Sequence, residues 1–454
     1  MSWKKILALA LLLAVLVVAI ALVERGAKNR QSLEGTLVDI SPETVGKIEL
    51  RNPKGRFVFS RRDVHWQLEE PLAARADKAV LESILDNFCR LKYDRLVAEK
   101  AGDLKDFGLD APEIELKLFA RDGARPAAAV LLGLKNSLDG SSYARLAAGG
   151  KVVSIADYKR SDLEKDLFAF RDKRFLEVDV AAVTALDWCL GGRTLAFAKR
   201  DDRWYLDQPV HSLAQDAKVS DLLSAASTLE ALSFATAADA AARRGFGLEK
   251  PLLTVEFRAA DSSRKVAVGK QGERFYAWVE GTGEVCEIGK DFPERFSGDA
   301  ASFREKKVAR FYAFDIRELE FQRDAFRFTI RKNAAGNWEF AKAHAGKTPD
   351  AEKIERLLTT LADCQAREFV DPPQGLPAFP IRVAMKSADP AAAVQEHEPA
   401  SIIMEFSAAE GETVFARNPS LPYGFKVDKG ILAQLPGRIE DITANGPAAA
   451  AGIQ

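Results

Sequence analysis

The chain has 454 residues, enough for about three domains of ordinary size. Hydrophobic residues make up 47% and charged residues 29%, which excludes general disorder. Lysine plus arginine (65) balances aspartate plus glutamate (66), so the basic excess of a nucleic-acid binder is missing and no nucleic-acid partner is expected.

Ile6 to Val23 is an unbroken apolar run, near the lower length that spans a hydrocarbon core of about 30 Å. The rival reading is a cleaved signal peptide, because Ala19-Ile20-Ala21 has the small-x-small form of a cleavage site. The run is longer than a typical signal core, which favours an uncleaved single-pass anchor over residues 1–30. No cysteine follows directly, so lipoprotein processing is not indicated. Lys4 and Lys5 favour a cytoplasmic amino terminus, while Arg25, Lys28 and Arg30 oppose it. A short tail before a large domain usually leaves that domain outside. The expected location is the bacterial inner membrane, with the bulk of the chain in the periplasm.

Beyond the run, the sequence repeats itself. Trp66-Gln67-Leu68-Glu69-Glu70-Pro71 and Trp204-Tyr205-Leu206-Asp207-Gln208-Pro209 share the pattern W-x-L-acidic-x-P. Asp77 and Asp216 follow, each expected to open and cap a helix. The faces Val80, Leu81, Ile84, Leu85, Phe88, Leu91 and Val219, Leu222, Leu223, Ala226, Leu229 have helical period. Next come Phe107-Gly108-Leu109-Asp110-Ala111-Pro112 and Phe246-Gly247-Leu248-Glu249-Lys250-Pro251, or F-G-L-x-x-P. Glycine predicts a turn with positive φ, and proline a strand start. Alternating strands at 114–119 and 253–257 are expected, then strands ending at Leu132-Gly133 and Val268-Gly269. Tyr143-Ala144 and Tyr276-Ala277 follow.

A third copy is worn. Trp338 leads it, and Thr348-Pro349-Asp350 predicts a helix with proline at its first position. Ile354, Leu357, Leu358 and Leu361 would form its apolar face. The F-G-L string gives way to a proline-rich stretch, Pro372 to Pro380, and a strand is expected from Ile381. Ser387 to Pro399 reads as a loop insertion, and Gly446 to Gln454 as a frayed tail. Phe170-Arg171-Asp172-Lys173-Arg174 and Phe303-Arg304-Glu305-Lys306-Lys307 mark the joints. The expected class is α+β: an N-terminal transmembrane helix, then three tandem α+β repeat units with mainly antiparallel sheets, over 31–175, 176–308 and 309–454.

Residues for chemistry are scarce. The four histidines, His65, His211, His344 and His397, occupy different repeat positions and form no metal-binding spacing. Cys89, Cys189, Cys286 and Cys364 are far apart and read as small buried hydrophobes, with a disulfide open in an oxidising compartment. No nucleophile elbow, phosphate-binding loop or dinucleotide fingerprint is present, and Gly281-Thr282-Gly283 reads as a hairpin turn. No catalytic residue, metal or cofactor is expected. Trp66, Trp204 and Trp338 are the candidate site residues, either as structural repeat positions or as stacking platforms for a ligand.

The anchor followed by W-x-L-x-x-P, a capped helix, F-G-L-x-x-P and a strand reaching L/V-G resembles a bacterial repeat family, domain of unknown function four-three-four-zero. That resemblance covers nearly the whole chain after the anchor. It implies an envelope protein associated with ABC transporters of the gliding-motility type, and it brings no catalytic residues. The expected function is therefore a membrane-anchored periplasmic accessory or scaffold protein. Its partners would be the lipid bilayer, through Ile6 to Val23, and an ABC permease and ATPase. An envelope glycan or peptide binding module is the alternative, and an enzyme with a carboxylate site a third reading.

Overall fold

The computed structural model describes residues 35–444 except 101, 138, 238, 343, 345, 372–374 and 388–400. The anchor with Ile6 to Val23, the tail Gly446 to Gln454, His397 and all of the Ser387 to Pro399 insertion after Ser387 lie outside the described residues.

The fold is mostly β, which corrects the α+β expectation. Strand accounts for 44% and helix for 20%, and the strands form four antiparallel sheets. Among the described residues no helix is long and apolar enough to cross a membrane. The physical reason is the proportion inside each repeat: one helix of twelve residues serves a sheet of eight or nine strands. Helical periodicity stands out in a sequence, whereas short strands such as Arg193–Arg200 mix lysine, arginine and alanine and do not.

The three large sheets follow one plan. The first runs in the order Ala74–Arg75, His65–Glu70, Gly55–Arg62, Val45–Asn52, Ile114–Ala120, Pro126–Lys135, Ser142–Leu146, Val152–Ile155, Arg95–Ala98. A first meander is laid down, the chain passes through a helix to the far edge, and a second meander closes up against the first. The second sheet repeats this with nine strands, from Ser212–Leu213 to Ser233–Ala237. The third has eight, from Trp338–Phe340 to Ala366–Val370. The fourth sheet is the small pair Gly35–Thr36 and Lys92–Tyr93.

Register places equivalent apolar residues at each sheet centre. Ile48 lies between Phe59 and Leu118, Leu186 between Phe197 and Phe257, and Leu319 between Ile330 and Met385. On this face of the first sheet, the helix Lys78–Cys89 buries Leu81, Ile84, Leu85 and Phe88. Each such side chain contributes about 1.5–3 kcal/mol. The other face is wet: Lys47 pairs with Glu49 at 2.7 Å and Lys117 with Glu115 at 2.9 Å.

The chain packs as two compact units. One comprises the described residues up to Phe175 together with Glu230–Phe234; the other comprises Leu176–Leu229 and the described residues from Ala235 onward.

Helix starts differ from expectation in two copies. Asp77 caps the first helix, accepting from the N–H groups of Ala79 (3.0 Å) and Val80 (3.2 Å). In the second copy Gln215 holds the cap position and Asp216 is already helical. The Asp216 carboxylate instead accepts from the Trp204 N–H at 2.9 Å. In the third copy Asp350 is the cap, so Pro349 lies before the helix rather than at its first position.

The glycines Gly133 and Gly269 do not end their strands, which run on to Lys135 and Gln271. They are the floor on which the F-G-L turn rests. A Cβ on Gly133 would lie 2.0 Å from the Phe107 carbonyl oxygen, and one on Gly269 2.1 Å from that of Phe246. The turn glycines Gly108 (φ +64°) and Gly247 (φ +74°) are left-handed, as the string predicts.

Candidate interaction site

The three repeated tryptophans are interior residues. Trp66, Trp204 and Trp338 are 4%, 4% and 8% exposed. Trp66 belongs to the core of the first sheet and Trp338 to that of the third. In register each faces a cation: Arg61, Lys199 and Lys332. Arg61 lies 5.9 Å over the Trp66 ring and Lys332 5.1 Å over that of Trp338. An indole packed in this way has no open face for a sugar or peptide.

The histidines are not brought together. His65 is exposed, His211 shares a hydrogen bond of 3.0 Å with Asp207, and His344 packs 4.6 Å from Phe340. Among the described residues no cluster of His, Cys, Asp and Glu could hold a metal ion. All four cysteines are free. Burial pushes the Cys364 thiol up to about 12 and the Cys89 thiol up to about 11, so neither is a thiolate at neutral pH.

The joint strings build a buried polar assembly. In the second compact unit, the Phe303 carbonyl accepts from the Gln215 N–H at 2.7 Å, and the Lys306 carbonyl from the Ala366 N–H at 2.7 Å. Between them Arg304 is 3% exposed. Its Nε donates to Ser212 Oγ at 3.1 Å, and its two terminal nitrogens grip the Asp371 carboxylate, one at 2.9 Å. The guanidinium lies 3.9 Å over Phe369 and 4.5 Å over Tyr423. Burial raises the Tyr423 hydroxyl above its ordinary value, and the oxygen accepts from the Leu213 N–H at 3.3 Å. Arg304 thereby locks the second sheet to the third. In the first compact unit Arg171 is its equivalent, 3.5 Å over Phe234, with the Ala231 N–H donating to the Lys173 carbonyl at 2.9 Å.

The third copy closes the series. Asp77, Gln215 and Asp350 donate their N–H groups to Phe170, Phe303 and Ile442, so Thr443 stands where Arg171 and Arg304 stand. Sequence reasoning found the joint strings as boundary marks and missed their partners. Phe234 and Phe369 carry no motif, and only the fold places them under an arginine.

Two of the cavities among the described residues lie in the second unit. One of about 210 Å³ beside the joint is lined by Arg203, Tyr205, Glu305, Lys307, Arg310 and Asn418, among others. That is smaller than the usual ligand pocket of about 300–1,000 Å³. The other, about 780 Å³, is an open groove where the helix Ala351–Ala362 ends, and Arg356, Thr359, Asp363, Arg367, Asp428 and Gln434 contribute to its walls. In the first sheet the same place is filled by the helix Asp157–Leu163, whose Asp162 accepts from Ser83 (2.9 Å) and Asn87 (2.7 Å). The third copy has only the short turn Ile431–Gln434 there.

The model of the family described as Domain of unknown function (DUF4340) matches residues 66–244 and 204–378. The chain belongs to this family. Both DUF4340 matches begin at a repeat tryptophan, Trp66 and Trp204, which are core residues of equivalent strands. No curated protein matches the chain. Among solved structures, it is similar to a DNA polymerase III subunit beta DnaN sliding clamp from Bartonella birtlesii LL-WM9, with 6% identity over 86% of this chain and 92% of that one, at a TM-score of 0.15. A DNA polymerase sliding clamp from Pseudomonas aeruginosa gives 7% identity over 86% and 93%, at a TM-score of 0.13. Likeness at these scores carries no argument.

Proposed function

We propose that this DUF4340 chain is a membrane-tethered periplasmic accessory protein that works with an ABC transporter by presenting its repeated sheets to partner subunits. The observation that carries this reading is where the repeated residues go. Trp66, Trp204, Trp338 and the arginines Arg171 and Arg304 are spent on cores and joints. What is left outside differs from copy to copy, as expected of a scaffold with distinct contacts along its length. The apolar run Ile6 to Val23 would hold it at the bilayer. The buried indoles remove the stacking platforms on which a glycan-binding module would depend.

The test is crosslinking in intact cells, detergent extraction of the tagged full-length chain and mass spectrometry of what accompanies it. A permease and an ATPase recovered together support the reading. The chain recovered alone, with transporter subunits detected elsewhere in the same sample, overturns it.

A further inference from the structure

The three copies build the same turn ahead of their first central strand, and one of them builds it with the wrong residues for stability. In the first copy the turn Pro42–Thr44 follows Ser41, in the third Ala313–Asp315 follows Tyr312, and in the second Asp179 begins it. The closing hydrogen bond is the same in all: Thr44 to Ser41 at 3.1 Å, Ala182 to Asp179 at 3.0 Å, Asp315 to Tyr312 at 3.0 Å. Ser41 and Asp179 also brace the turn with their side chains, to Glu43 and to the Ala181 N–H. Tyr312 forgoes that bond. It is 58% exposed, and Phe314, in the place of Glu43 and Ala181, is 69% exposed. The two rings stack on each other, centroids 5.4 Å apart, and leave their outer faces to solvent.

Charge changes at the same spot. The cation opposite the repeat tryptophan forms an ion pair in the second copy, and in the first it acts on Glu43 through charge alone. Arg61 acts on Glu43, whose carboxyl lies below its ordinary value through the Ser41 hydrogen bond first and the attraction of Arg90 and Arg61 after it. Lys199 pairs with Asp202 at 3.1 Å. Lys332 instead donates to the Phe314 carbonyl at 3.3 Å, and among the described residues it has no carboxylate within ion-pair distance. Exposed Arg317, where the first copy has Gly46, lacks one as well. Burial lowers the Lys332 ammonium first, repulsion from Arg317 next, and the attraction of Glu355 and Asp315 does not reverse this. The fold needs neither the exposed aromatic pair nor Arg317, since the first copy builds the same turn and strand with Ser41, Glu43 and Gly46.

We infer that Tyr312, Phe314, Arg317 and Lys332 form a docking patch for a partner protein segment that presents an aliphatic side chain beside an Asp or Glu. The apolar side chain covers the ring faces, and the carboxylate pairs with Arg317 and Lys332. Aromatic and arginine residues are the usual anchors of such contacts. This rests on the accessory-protein reading for the existence of a protein partner, and it names the face and the chemistry.

The test uses the full-length chain in its own membrane with the photo-reactive p-benzoyl-phenylalanine at Tyr312, and separately at exposed Val64 of the first copy. Crosslinked peptides are sequenced, and a synthetic peptide of the captured segment is titrated against purified protein. Support is an adduct at 312 to a segment with Asp or Glu next to an aliphatic residue, whose peptide binds at least tenfold more weakly to the Tyr312→Ser/Phe314→Glu variant. Those replacements are the first copy's own residues, and thermal unfolding checks that the fold is kept. Arg317→Gly, also a first-copy residue, is the second variant and is expected to weaken binding several-fold. Lipid or glycan adducts at 312, no adduct there, or unchanged peptide binding overturn the patch. Transporter subunits captured from Val64 in that case would keep the accessory reading alive. An acidic segment captured at 312 from a protein unrelated to any transporter supports the patch and sinks the accessory reading.

Discussion

The first and third sheets share a strand order, and they part at one position in the strand after the central pair. Gly133 stands opposite the F-G-L turn of the first copy, with no room for a Cβ. In the third copy Ser407 occupies that place, next to Phe406 as Gly133 is next to Leu132. Ser407 is fully buried, and its hydroxyl accepts from the Phe415 N–H at 3.0 Å and donates to the Ala408 carbonyl at 2.6 Å. The F-G-L string and the glycine are therefore two halves of one contact. When the turn is lost the glycine is released, and a side chain fills the space. A motif that looks degenerate in sequence is a coordinated change in structure.

The difference between shared and copy-specific positions can be broken most forcefully at a shared one. Trp204→Ala is expected to cost about 3–5 kcal/mol, the range for emptying a buried aromatic site. Urea unfolding of the purified protein would measure it. A loss under about 1 kcal/mol would mean that the indole is not a core element, and the reading of the repeat as scaffold would fall with it.

The joint comes next. Arg304→Thr places the third copy's residue into the second copy's lock. It removes the grip on Asp371 and the stacking on Phe369 and Tyr423. Breaking a buried ion pair costs about 3–5 kcal/mol, and the partly exposed Asp371 side chain moderates this to roughly 2–3. Scanning calorimetry should show the unfolding of the second compact unit split or broaden relative to the unsubstituted protein. An unchanged transition would show that the two sheets hold together without the arginine.

How much of this was legible in the sequence depends on the kind of residue. Asp77, Leu81, Ile84 and Phe88 announced the first helix through capping and period, and the structure places them so. Asp216 misled, because an aspartate one residue inside a helix has the same local pattern as a cap, and its true partner Trp204 sits on another strand. Many strands went unread because those such as Arg95–Ala98 are short edges whose pairing is not local. The joint strings were visible, but their meaning lay in Phe234 and Phe369. The patch at Tyr312 and Phe314 had no signal at all until the three copies could be superposed through their hydrogen bonds.

A smaller effect tests burial chemistry. Cys364 has its thiol pushed up to about 12 by desolvation, so its thiolate fraction at pH 8 is far below that of an ordinary cysteine. In the native protein alkylation by iodoacetamide should leave Cys364 untouched over hours at pH 8, while unfolding in urea exposes it. Labelling at the rate of a free thiol in the native state would show that the end of the helix Ala351–Ala362 opens, and that the groove beside it is deeper than the described walls.

The smallest expected effect is the reciprocal exchange at the position where the sheets part. Ser407→Gly deletes a hydroxyl that satisfies the Phe415 N–H, and no F-G-L turn follows to use the space. The cost is about 1–2 kcal/mol, from one lost hydrogen bond and the added backbone freedom. Gly269→Ser in the second copy puts the same side chain where a Cβ meets the Phe246 carbonyl oxygen at 2.1 Å, so the turn must move. Overpacking of that kind costs about 1–3 kcal/mol and occasionally more. The two exchanges together therefore separate two explanations of the worn third copy. If Gly269→Ser is the more costly, turn and glycine are coupled and the third copy has drifted as a unit. If the two costs are equal, the serine carries a role of its own in the third sheet, and the loss of the F-G-L string has to be explained without it.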